Sequence, residues 1–180
     1  MFGRKTLDKK IIVGIFGFLF IWLSFLTQIN VLNEFELFGA KPNIAIVGIV
    51  GIALLSGKIP GMSVGIIYGL IYDVTFGQAL GIYTLMYAGV GFLLGRYSNG
   101  FSKENRLSVI YMVGIGTALV EVIMYLMFVV LYGYIFEIFA TILLIAKEAI
   151  YNMILARIIY GLLASFSEII NKCKNSYYLL

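Results

Sequence analysis

PGMSVGIIYGLIYDVTFGQALG, residues 60–81, places Gly61, Gly65, Gly69, Asp73, Gly77 and Gly81 at intervals of four. The positions between them are almost all apolar. Residues four apart share a helix face, so Gly61, Gly65 and Gly69 make a bare stripe that lets a second backbone come close. A straight helix turns about 400° in four residues, so the stripe drifts by about 40° per step and suits a crossing helix better than a parallel one. Asp73 follows at the same spacing, and a carboxylate ending an apolar segment is costly in lipid unless it reaches water or a partner. Two roles are open to it. It contacts a partner or ion, or it organises the turn TFGQALG into the next helix, where Gly77 and Gly81 permit a tight reversal. The stretch therefore reads as a packing face, 61–69, in series with a polar hinge, 73–81.

The composition around it is that of an integral membrane protein. Of 180 residues 62% are hydrophobic and only 12% charged, against about 25% charged in soluble domains, and the mean hydropathy is +1.01. A spanning helix takes about 20 apolar residues, so roughly 110 hydrophobic residues allow five or six spans and leave little for a soluble domain. The fold class expected is all-α, with about six transmembrane helices in a single domain. Histidine is absent, which removes the commonest general base and metal ligand. The single cysteine, Cys173, lies in a polar tail and excludes an internal disulfide and a cysteine-based metal site. No phosphate loop, nucleophile–base pair or suitably spaced acid/base carboxylates occur, so neither catalysis nor a cofactor is expected.

Apolar runs place the spans at about 11–31, 43–56, 61–72, 80–95, 107–131 and 138–166, with a short tail over 167–180. The first run exceeds a signal-peptide core and no A-x-A-like site follows it, so it reads as an uncleaved span. Pro42 pre-sets entry to the second run, and Gly57, Lys58 and Pro60 separate that run from the third. Three crossings in so few residues require short helices that thin the bilayer, or a partly re-entrant segment shielded by its neighbours. With both termini cytoplasmic, Arg4, Lys5, Lys9, Lys10, Lys58, Arg96, Lys103, Arg106, Lys172 and Lys174 all fall inside. Lys41 alone among the loop cations lies outside, together with Glu34, Glu36 and Glu137. The positive-inside rule thus favours a multi-pass protein with six spans over five, and the same bias argues against nucleic-acid binding.

A second polar group, Glu121, Lys147, Glu148, Asn152 and Arg157, lies deep in the last two spans. An antiparallel hairpin turning near Gly133 and Tyr134 sets Glu121 level with Lys147, so an intramembrane ion pair between them is expected. Glu148 is then placed to bond Asn152 one turn later, and Arg157 to snorkel toward the cytoplasmic surface. The competing reading is a proton or ion relay, because intramembrane ionisable groups are functional candidates by default. Gly91 with Gly95, and Gly114 with Gly116, suit further close helix contacts.

Residues 41–97 resemble the core of the bacterial rod shape-determining MreD family. Pro42, Gly61, Gly65, Gly69, Leu70, Asp73, Gly77, Leu80 and Gly81 carry the likeness, with one departure, the proline directly before the first glycine. The resemblance implies a non-enzymatic scaffold of the cell-elongation machinery in the bacterial cytoplasmic (inner) membrane. It also implies a direct partner, the single-span periplasmic MreC, and coupling of actin-like MreB filaments to the peptidoglycan polymerase and transpeptidase. The implied fold is similar to the six-helix substrate-binding subunits of energy-coupling-factor vitamin transporters, and those subunits are the alternative function. On this reading the glycine-lined third helix, with the short second one, offers a surface to a partner span or, in a homodimer, to a second copy.

Overall fold

The computed structural model of the chain describes residues 19–32, 39–76, 81–98, 106–133 and 137–175, and its elements are all helices. They are α1 (Leu19–Asn30), α2 (Ile44–Ser56), α3 (Lys58–Phe76), α4 (Ile82–Gly95), α5 (Arg106–Tyr132) and α6 (Ile138–Asn175). The end of α1 widens into a π-helical turn over Gln28–Leu32. By length and composition α3, α5 and α6 are each able to cross a membrane, while α1, α2 and α4 are shorter apolar helices. Residues 11–18 of the first expected span lie outside the described residues.

The centre of the bundle is α2. Its sequence, IAIVGIVGIALLS, has no polar face, and every one of its residues is buried. A helix apolar on all sides must be surrounded on all sides, and α2 is packed by α3, α4, α5 and α6. Two small residues set how closely. A side chain on Gly51 would run into Leu163 of α6, and one on Gly116 of α5 would meet Val50 at 2.7 Å.

The third helix is longer at both ends than the expected 61–72. Its start moves back to Lys58 because a single residue, Gly57, makes the whole reversal from α2. Gly57 has φ +101°, its N–H donates to Ala53 O at 2.9 Å, and its carbonyl accepts from Gly61 N at 3.1 Å. Only glycine adopts that backbone conformation without strain. Pro60 then falls in the first turn of α3, where its missing N–H leaves no bond unmade. The sixth helix likewise continues past 166 to Asn175, since SEIINKCKN contains neither glycine nor proline to stop it.

The α5–α6 hairpin is antiparallel. Gly114 faces Met153, and the Arg106 guanidinium lies 5.5 Å above the Tyr160 ring. Gly133, at φ +69°, ends α5 by donating to Val129 O at 2.9 Å, the usual use of a glycine just past a helix. Lys58 sits against Gly95 beside Arg96, and α5 begins at Arg106, so one end of the bundle is basic.

Replacing Gly57 by alanine is expected to cost about 1–3 kcal/mol, because φ +101° with ψ 178° is a backbone region open essentially to glycine alone. Thermal unfolding of the purified protein in detergent reads this directly, and an unchanged midpoint would refute the single-residue hinge.

Candidate functional site

The glycine stripe is occupied from within the chain. A Cβ built on Gly61 would lie 2.8 Å from Gly91 O, one on Gly65 2.3 Å from Tyr87 O, and one on Gly69 2.3 Å from Thr84 Cα. From the other side, a Cβ on Gly91 would stand 2.4 Å from Gly61 O, and one on Gly95 2.5 Å from Lys58 Cα. These contacts are backbone against backbone, so no side-chain movement relieves them. The antiparallel pair α3–α4 is therefore zipped along its length, with Gly91 and Gly95 completing the stripe from α4. The face expected to be open to a partner span or second copy is consumed by α4, because a bare backbone surface packs best on another backbone of the same chain a short turn away.

Asp73 closes the upper end of this zipper. It is 2% exposed. Its carboxylate accepts from Tyr83 N at 2.9 Å, Thr84 N at 3.0 Å and Thr84 Oγ1 at 2.6 Å. Gly81 precedes α4 at φ +101° and carries no side chain to cap it, so the capping carboxylate comes from the neighbouring helix instead. A negative group here also meets the positive end of the α4 dipole. Of the two roles open to Asp73, organising the turn is the one these bonds perform. Gly77 lies outside the described residues.

A second polar centre, built on Asn43, is the larger one. Asn43 precedes α2, and its Oδ1 accepts from Ala45 N at 3.1 Å and Ile46 N at 3.4 Å, the ordinary N-cap arrangement. The remaining groups reach other helices. Asn43 N donates to Asn152 Oδ1 on α6 at 2.6 Å, and Asn43 Nδ2 donates to Tyr87 Oη on α4 at 3.1 Å. The Tyr72 hydroxyl on α3 donates to Asn43 Oδ1 at 3.5 Å. Gln28, in the π turn of α1, accepts from Ile44 N and donates to Pro42 O, both at 3.0 Å. Asn152 in turn donates to Thr117 Oγ1 on α5 at 3.0 Å, and Thr117 donates to Val113 O at 2.9 Å. Six helices thus converge on the start of the buried one. Asn152, entirely buried, reaches across the bundle to Asn43 and Thr117 rather than along its own helix to Glu148.

Beside this hub lies a cavity of about 430 Å³. The hub residues Gln28, Asn43 and Tyr72 line it, as do Glu121 and Glu148, one from α5 and one from α6. Arg157 lines a separate, apolar groove of about 410 Å³ on the outer face of α5 and α6.

A scan against protein families matches residues 8–169 to MreD, rod shape-determining protein MreD. The chain belongs to the MreD family. Its role is accordingly in rod-shape determination, and it is a membrane protein of a shape-determining family. Neither a search of curated proteins nor one of solved structures returns a match, and nothing in the comparisons supports the vitamin-transporter alternative.

Two substitution pairs probe the site. Gly91→Ala forces a Cβ onto the Gly61 carbonyl, whereas a Cβ on Gly89, two residues earlier in the same helix, meets nothing within 4 Å. Gly91→Ala should lower the unfolding midpoint clearly, while Gly89→Ala should leave the midpoint unchanged or raise it, its stability gain being up to about 1 kcal/mol. Equal effects would show that the zipper is not what fixes α4. Asn43→Ala should cost more than the ~1 kcal/mol of a lost N-cap, since it also strips partners from Tyr87 and Tyr72. Asp73→Asn, which turns an acceptor into a donor facing N–H groups, should cost about 1–3 kcal/mol. Hydrogen exchange of the first turn of α4 separates the two: it should accelerate in Asp73→Asn and not in Asn43→Ala.

Proposed function

We propose that the chain is a non-enzymatic scaffold of the cell-elongation machinery that binds MreC and helps couple MreB filaments to the peptidoglycan polymerase and transpeptidase. The observation that carries this reading is membership of a rod shape-determining family over residues 8–169. The interior is consistent with a scaffold, because Asp73, Asn43, Gln28, Thr117 and Asn152 spend their hydrogen bonds joining one helix to another. The location proposed is the bacterial inner membrane, with multiple passes and both termini cytoplasmic. The basic end formed by Lys58, Arg96 and Arg106 then faces inward.

With the glycine stripe occupied by α4, a partner span has the outer surface of α5 and α6 to bind. That surface is broad and apolar: Phe139, Val130 and Ile158 are 81%, 80% and 73% exposed. A partner helix there would associate through side-chain packing rather than a backbone stripe. The scaffold reading is tested by depletion and by copurification. Depleting the protein should turn rods round, and affinity capture of the intact chain should bring MreC with it. Ile154→Trp, in the α5–α6 groove, should reduce MreC recovery several-fold at unchanged expression and thermal midpoint. Rods that keep their shape on depletion would refute the scaffold, and full recovery with Ile154→Trp would move the partner to another face.

A further inference from the structure

The cavity beside Asn43 is used neither by the helix zipper nor by the proposed partner surface. Besides the hub residues it is lined by Lys41, Phe76, Tyr83, Glu121 and Glu148. These side chains divide into three chemistries. Glu121 and Glu148, one from each arm of the hairpin, are the two acidic residues of the lining. Tyr72, Phe76 and Tyr83 form an aromatic wall, with the Tyr72 ring 5.4 Å from Phe76 and 5.7 Å from Tyr83. Lys41 is exposed and stands before the start of α2. Carboxyl groups and aromatic rings lining one cavity are the combination that recognises an organic ammonium, through charge-assisted hydrogen bonds and cation–π attraction. A cation at the opening adds the complement for an anionic neighbour on the same ligand.

The depth of the cavity narrows the ligand further. Arg106, stacked on Tyr160, marks the basic end. Glu121 lies fifteen residues further along α5, about 22 Å at 1.5 Å per residue. A hydrocarbon layer about 30 Å thick therefore ends only about 8 Å beyond it. Glu121 thus lies nearer the far interface, where phosphate and headgroup atoms lie, than the basic end, and Lys41 is the exposed cation of the same lining.

We infer that this cavity binds a phosphoethanolamine-type zwitterion, with its ammonium between the Glu121–Glu148 pair and the aromatic wall and its phosphate at Lys41. The chemistry is common to the headgroup of an aminophospholipid and to a free soluble phosphoethanolamine. The inference is independent of MreC binding, since it concerns the interior of the bundle and not its outer face.

The test uses the full-length chain in detergent micelles, with lipid retention read by native mass spectrometry. Phosphatidylethanolamine should be retained at least ten-fold over phosphatidylglycerol, which has the phosphate without the amine. Glu148→Gln should reduce that preference at least five-fold, and Lys41→Ala should weaken retention of phosphatidylethanolamine at least three-fold. Titration with O-phosphoethanolamine distinguishes the sources. Displacement of the lipid at millimolar concentration, or binding where the lipid does not bind, assigns the site to the soluble zwitterion; resistance to displacement assigns it to the lipid. Equal retention of the two lipids with no binding of phosphoethanolamine overturns the inference. So does a preference unaffected by both substitutions, or a cavity found filled by a basic side chain of a copurified protein.

Discussion

A helix of thirteen residues extends about 20 Å, well short of an apolar layer about 30 Å deep. At least one of its ends must therefore find hydrogen-bond partners inside the protein, because the first N–H groups and last carbonyls of a helix have none of their own. The burial of α2 makes this the governing constraint on the bundle. Asn43 and Gln28 accept from the N–H groups of Ile44, Ala45 and Ile46. In doing so they hold α1, α3, α4 and α6 at one level, and Asn152 relays the tie to α5. At the opposite end Gly57 answers the same need by turning the chain straight into α3. The polar residues of the interior are thus tied to the shortness of one helix.

The α3–α4 pair solves a related problem differently. Lipid gives helices little hydrophobic reason to associate, so close backbone approach and internal hydrogen bonds supply the attraction. Gly61, Gly65 and Gly69 provide the approach, and Asp73 provides the bonds at the end where the chain turns back. The two features that follow one another along the sequence converge on α4, with Gly61 also set against Ala53 of α2.

Much of this was legible in the sequence because it is periodic or compositional. The all-helical membrane class and the packing stripe follow from apolar runs and four-residue spacing, while the family likeness rests on the particular residues from Pro42 to Gly81. What covers the stripe did not follow, since a bare face looks the same whether a neighbour or another molecule fills it. Gly91 and Gly95 were visible as a spaced pair, yet only the register of α4 against α3 reveals them as the other half of the zipper. The Asn43 hub escaped for a similar reason. An asparagine directly before an apolar run signals an N-cap, but its bonds to Tyr87 and Asn152 span residues far apart in the chain. Glu121 and Glu148 stood out as polar residues of the last two spans, but the cavity they share with Gln28, Asn43 and Tyr72 is built from helices far apart in the chain.

The single-residue hinge at Gly57 also bears on how the chain enters the bilayer. Thirteen residues do not make a self-sufficient crossing, and α4, with fourteen, is little better placed. Joined by one residue, α2 and α3 instead present themselves to the insertion machinery as a preformed hairpin whose longer arm carries the shorter. The carboxylate of Asp73 stays uncapped until α4 arrives, and the first-turn amides of α2 stay only partly relayed until α5 and α6 bring Thr117 and Asn152. Membrane insertion of this protein is in this sense a collective event, in which helices made early reach their final depth only when those made late are in place.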